Sequence, residues 1–173
     1  HNEDEAVATQ KVNYNGTTDL ESVSEFLVAK NGYECKWVTE DGADFTETTL
    51  VKKDTTVNIQ YTGIKLDKQE AEAQTEYMLV GETLAMPTDV AAAESEFYQN
   101  EYTLTWTFGE REVSGESFAL TADEVGTETE SKQTLLVCTA AKADGSDEHV
   151  VYEQAYNVYK IREEHLEPFY VTD

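Results

Sequence analysis

A mainly β chain in two modules is what this sequence predicts: a small α+β unit over residues 1–64, then a β-sandwich over residues 65–173. Three observations carry that expectation. Tyr102, Leu104, Trp106 and Phe108 alternate with Thr103, Thr105 and Thr107, the period of two of a strand with one face in a core and one in water. Tyr33, Cys35 and Trp37, and later Val57, Ile59 and Tyr61, repeat the alternation in the first half. Between Lys65 and Glu76 the side chains are mostly polar, with little to build a core. The boundary therefore belongs just before that stretch, near Gly63.

Taken in order, Val7 to Tyr14 reads as a strand ending at Asn15-Gly16. A glycosylation sequon at Asn15 to Thr17 coincides with that turn and reads first as a turn. Thr18 or Asp19 can cap a helix, and Leu20, Val23, Phe26 and Leu27 recur on one side of it at helical spacing. About three turns are expected before Asn31-Gly32 stops it. Strands over Tyr33–Val38 and Thr56–Tyr61 follow, with Phe45 as an anchor between them.

In the second half, Tyr77–Val80 and Thr83–Met86 read as strand, bend and strand, ended by Pro87. Ala91 to Ala93 suggest a helical turn. The strand at Tyr102–Phe108, a tight turn at Gly109, Phe118 and Leu120 on one face, the apolar run Leu135 to Cys138, the turn at Asp144-Gly145 and a strand over Val150–Ile161 complete a run of short strands spaced by turns. That spacing indicates a sandwich. Residues 163–173 read as a closing strand or the start of another module.

Composition narrows the partners. Lysine plus arginine number 12 against 36 aspartates and glutamates, a net charge of −24. Residues 1–64 carry 12 acids and 5 bases (net −7), and residues 65–173 carry 24 and 7 (net −17). Such a chain repels nucleic acid and anionic membranes, so neither is an expected partner. Ten tyrosines, six phenylalanines and two tryptophans, set in patterned stretches, speak for a folded chain rather than a disordered one. No apolar run approaches the roughly 18 residues of a membrane helix, so no membrane insertion is expected. The chain opens without methionine or a leader, so a mature segment or an excised piece is expected, and the missing leader says nothing against secretion.

Catalytic and metal chemistry find little footing. The acid-rich turns Asp41 to Asp44 and Asp144 to Glu148 could offer oxygen ligands to calcium, yet Asp-Gly between strands is first a hairpin turn. Cys35 and Cys138 lie far apart and read as free thiols in different modules. Neither has a histidine at zinc-ligand spacing. His149 beside Asp147 could exchange protons, but its place on a hairpin shoulder reads as a solvated side chain. No nucleophile motif, phosphate loop or metalloprotease helix is present. The expectation is no catalytic residue, no metal and no cofactor. A ligand patch, if any, is expected among the aromatics of uncertain orientation: Phe97, Tyr98, Tyr156 and Tyr159.

Two resemblances refine this. The stretch from Asn31 through Gly32, Tyr33, Cys35 and Trp37 to Gly42, then Phe45, then Asp54-Thr55-Thr56-Val57 and on to Tyr61, resembles the B-repeat of internalin-type bacterial surface proteins. It departs where Cys35 stands for a phenylalanine and Lys36 for a glycine, and Thr18 to Lys30 is more helical than that family's segment. The resemblance covers residues 7–63 and implies a β-grasp-like module on an extracellular stalk. Residues 76–162 resemble an immunoglobulin-like domain of bacterial surface proteins, with Trp106 at the central tryptophan and Leu136 to Cys138 at the cysteine strand. Leu84 or Met86 stands where that family's earlier cysteine would be, so no disulfide crosses this sandwich. Together they imply a non-enzymatic, secreted or cell-surface spacer and adhesion unit whose partner is a protein, a glycan or a neighbouring module. The alternatives are a carbohydrate-binding module and an accessory domain of a larger secreted enzyme.

Overall fold

The computed structural model describes residues 8–162. Strand accounts for 42% and helix for 12% of the described residues, so the protein is β-rich. It divides into two compact units, His1–Lys65 and Leu66–Asp173.

In the first unit, strands β1 (Tyr33–Thr39) and β2 (Val57–Gly63) pair antiparallel, with Trp37 opposite Ile59 and Cys35 opposite Tyr61. Tyr33 and Tyr61 meet edge to face at 6.3 Å. The Tyr61 hydroxyl donates to the Val28 carbonyl (2.8 Å), and the Lys30 ammonium lies 4.2 Å from its ring centre. Among the described residues of this unit, the buried side chains are Val38 and Phe45. Phe45 is fixed by its amide bond to the Trp37 carbonyl (2.9 Å) beside the Val38–Asp44 bridge. Trp37 itself is half-buried, so the anchor of this interior is Phe45 with Val38 rather than the indole.

Two expectations for this unit need correction. Residues 8–13 form no strand; Gly16 makes a single bridge to Val51 instead, reached through Asn15 in the left-handed conformation (φ 61°). The three-turn helix is a six-residue 3-10 helix, Glu21–Phe26, with no buried residue. Asp19 does accept the Ser22 amide (3.2 Å). Downstream, however, the Ser22 and Ser24 hydroxyls bond the carbonyls three residues back, of Asp19 and Glu21 (both 2.8 Å). Serine side chains that compete for backbone carbonyls weaken a regular α-helix.

The second unit holds β3 (Gln69–Met78), β4 (Thr83–Ala85), β5 (Thr103–Phe108), β6 (Arg111–Val113), β7 (Ser117–Ala119), β8 (Lys132–Ala141) and β9 (Glu148–Lys160). Two short helices, α1 (Ala91–Glu94) and α2 (Glu96–Glu101), precede β5. Five strands form one sheet in the order β3-β9-β8-β5-β6, and β4 pairs with β7 in a second. All pairs are antiparallel except β3 with β9. Leu84 and Phe118 from the small sheet meet Phe108, Val113, Leu136, Tyr156 and Val158 from the large one in a single cluster. Phe108 and Phe118 lie 5.0 Å apart. Two sheets sharing an interior of this kind are a two-layer β architecture.

The polar stretch after Lys65, read as having little to build a core, is mostly strand. Gln69–Met78 is the edge strand β3, paired along β9 with an irregularity between Ala71 and Gln74. Its side chains are polar because most of them face water, and its order comes from backbone pairing that side-chain composition does not report. Trp106 is half-buried. It packs against the rim of the cluster and lies 5.4 Å from the Tyr152 ring, while the centre belongs to Phe108 and Leu136. Residues 163–173, expected to form a strand or a new module, lie outside the described residues.

One ion pair ties the layers together. Arg111 of β6 donates from Nε to Glu124 Oε1 (3.0 Å) and from Nη2 to Oε2 (2.8 Å), and also to the Ala119 carbonyl (3.0 Å). Glu124 closes a 3-10 turn, Ala122–Glu124, whose capping box returns the Thr121 amide to its carboxylate (2.8 Å).

Candidate functional site

The four aromatics singled out from the sequence do not form one exposed patch. Phe97 and Tyr98 lie on α2 and are buried, and Tyr156 is buried on β9. The reason is the pleat. On β9, Tyr152, Gln154, Tyr156 and Val158 point inward, while Glu153, Ala155, Asn157 and Tyr159 point outward. Only Tyr159 reaches the surface.

Tyr98 belongs to a polar cluster at the start of β9. Its hydroxyl accepts the Leu66 amide (3.1 Å) and bonds His149 Nε2 (2.9 Å). The other ring nitrogen, His149 Nδ1, lies 3.4 Å from Asp147 Oδ2. Tyr102 donates to the same Asp147 oxygen (2.6 Å); burial, then this bond and the carboxylate's charge, push its phenol well above the usual range. His149 is therefore not a solvated shoulder residue. Its side chain is 26% exposed and both ring nitrogens are engaged, which suits a fastener between α2, β9 and the start of the unit better than proton transfer to a substrate.

A second network lies under an open cleft of about 450 Å³ beside β3 and β4. Tyr152 and Tyr156 both donate to Gln154 Oε1 (2.9 and 3.1 Å), and Gln154 Nε2 donates to the Glu72 carbonyl (3.0 Å). These groups satisfy one another and brace the irregularity in β3. A comparable cleft of about 440 Å³ is lined by Met86, Pro87, Leu104, Trp106 and Val113. In the acid-rich turns, which are largely exposed, two carboxylates bond within their own turn. Asp41 accepts the Thr39 hydroxyl and Asp144 accepts the Ser146 amide (2.9 Å), bonds that hold both carboxyls below their usual range. Among the described residues, no group of His, Cys, Asp or Glu is arranged to hold a metal ion, and no helix is long and apolar enough to cross a membrane. Cys35 and Cys138 are free thiols in different units.

The arrangement that sequence reasoning missed is on the outer face of the large sheet. Tyr77 of β3 sits in register with Tyr159 of β9, and their rings stack at 5.1 Å with 14° between planes. Tyr77 is 61% exposed. In the next row, Thr75, Asn157 and Gln133 lie side by side across β3, β9 and β8, and Gln133 Nε2 donates to Asn157 Oδ1 (3.2 Å). Beyond them Leu135 is 42% exposed. Tyr159 was a candidate of uncertain orientation, and Tyr77 could be placed beside it only once its stretch was known to be an edge strand.

No family model, characterised protein or solved structure matches the chain.

Proposed function

We propose that this chain is a non-enzymatic, extracellular two-module piece of a bacterial surface protein, serving as a spacer and an adhesion or interaction unit. The first unit is taken as B-repeat-like, supported by its residue pattern from Asn31 to Tyr61 and by the β1–β2 pairing. The second is taken as immunoglobulin-like, supported by its strand order and by Cys138 standing opposite Trp106 in register.

One observation carries the spacer reading. β3 and β9, the first and last strands of the second unit, run parallel as neighbours, from Gln69 opposite Tyr152 to Met78 opposite Lys160. The polypeptide therefore enters this unit at one end of the sheet and leaves β9 at the other. A ten-residue strand at about 3.3 Å per residue separates those ends by roughly 33 Å. A module threaded in this way adds length with each copy instead of folding the chain back on itself. The surface charge of −24 also keeps neighbouring molecules apart.

Protease treatment of intact cells producing the parent protein tests the location. Peptides from this chain should be released before lysis. Their release only after lysis would refute an outer-surface role.

A further inference from the structure

We propose that the outer face of the large sheet around Tyr77 and Tyr159 binds a neutral carbohydrate chain. The face is built from three strands in fixed register. Tyr77 and Tyr159 stack side by side with Tyr77 on the edge strand, so one ring face of the pair is turned out past the sheet. A flat, exposed aromatic ring offers the C–H-rich face of a pyranose an apolar surface, and the phenol at its rim stays wet.

The row beneath supplies polar partners. Thr75 contributes a hydroxyl. The Gln133–Asn157 bond uses one donor and one acceptor of the two amides, leaving Gln133 Oε1 and Asn157 Nδ2 without a protein partner among the described residues. Paired amides and hydroxyls beside a stacking ring match the alternating hydroxyls of a sugar. Leu135 closes the far side with exposed apolar surface.

Charge selects the occupant. In a chain with 36 acidic and 12 basic residues, Tyr77, Tyr159, Thr75, Asn157, Gln133 and Leu135 are all uncharged. A basic protein partner would be met by carboxylates, and these six side chains supply none. An anionic glycan, or a second copy of a chain with net charge −24, would be repelled by the rest of the surface. A neutral polysaccharide incurs neither penalty. This inference does not depend on the spacer role, and its failure would leave that role standing.

The test uses the whole chain, ¹⁵N-labelled, titrated to millimolar with neutral gluco-, xylo-, manno- and galacto-hexaoses. The expected result is that at least one shifts the amide signals of Tyr77, Asn157 and Tyr159 while those of Tyr98 and Tyr102 stay put. Tyr77→Ala should weaken that sugar about 10-fold, the loss of one aromatic contact. Its melting temperature should barely move, because the ring is mostly in water; Tyr77→Phe should keep most of the affinity. Three results would overturn the proposal: no shift with any of the four sugars, shifts that survive Tyr77→Ala, or a concentration-dependent dimer that Tyr77→Ala abolishes.

Discussion

Replacing Glu124 by alanine should destabilise the second unit by about 2–3 kcal/mol. The carboxylate is only 10% exposed and accepts three hydrogen bonds, two from the Arg111 guanidinium and one from the Thr121 amide. Removing one partner of a fully buried ion pair costs about 3–5 kcal/mol. Arg111 is 39% exposed and keeps its bond to the Ala119 carbonyl, so water recovers part of that cost. A unit running from Leu66 to Asp173 unfolds with roughly 0.2 kcal/mol per kelvin of entropy, which converts the loss into a fall in Tm of about 10 °C.

The same pair sets a pH dependence. Burial pushes the Glu124 carboxyl upward, but the Arg111 bonds and charge and the Thr121 bonds outweigh it, so its folded pKa lies below the usual carboxylate value. The unfolded chain then binds the proton first. The stabilisation is complete above about pH 4.3, the ordinary value for glutamate, and is lost as pH falls through the lower folded value. Thermal unfolding followed by circular dichroism, from pH 7 down to pH 3, checks both parts. Glu124→Ala should lower Tm at neutral pH and flatten the acid limb relative to the unsubstituted protein. A double-mutant cycle with Arg111→Met should return a coupling above about 1 kcal/mol. A Tm unchanged by Glu124→Ala, or an acid limb identical in both proteins, would refute the reasoning.

Two further outcomes follow from packing. At Gly126 an added Cβ would sit 2.2 Å from the Glu130 carbonyl oxygen and 2.7 Å from the Lys132 amide nitrogen; Gly126→Ala must displace backbone and should cost more than about 2 kcal/mol by chemical denaturation. Gly145→Ala meets open space and bears only its left-handed backbone (φ 72°), about 1–2 kcal/mol. Burial pushes the Cys138 thiol up to about 11, leaving roughly one part in ten thousand as thiolate at pH 7. A thiol reagent should therefore label half-buried Cys35 and reach Cys138 only on the timescale of unfolding, as mass spectrometry of labelled peptides would show.

What the sequence disclosed follows from which signals side chains carry. The strands β1, β2 and β5 were legible because one face of each differs in polarity from the other, and β8 because Leu135 to Cys138 is an unbroken apolar run. Of β3 only the Tyr77 end was read as strand: over the rest, an edge strand in water has polar residues on both faces, and its pairing with β9 is made by backbone groups common to every residue. The same gap hid the candidate sugar face, since Tyr77 gains its partner only through that register. The placement of Phe97 and Tyr98 failed differently. Their helix is six residues long, too short for a hydrophobic period to declare its buried side. Alternation puts Trp37 and Trp106 on the inward faces of their strands, yet Val38, Phe45, Phe108 and Leu136 are the buried side chains and both indoles are only half-buried.

The spacer role rests on the parallel pairing of β3 and β9, and single-molecule force measurement tests that pairing directly. Handles attached at Leu66 and Ile161 load the ladder in shear, so that its hydrogen bonds resist together. Handles at Leu79 and Ile161 pull on adjacent ends of the same two strands and open the ladder one bond at a time. The expected result is a single rupture at several-fold higher force in the first geometry than in the second. Equal forces in the two geometries, or gradual low-force extension from Leu66 and Ile161, would contradict it.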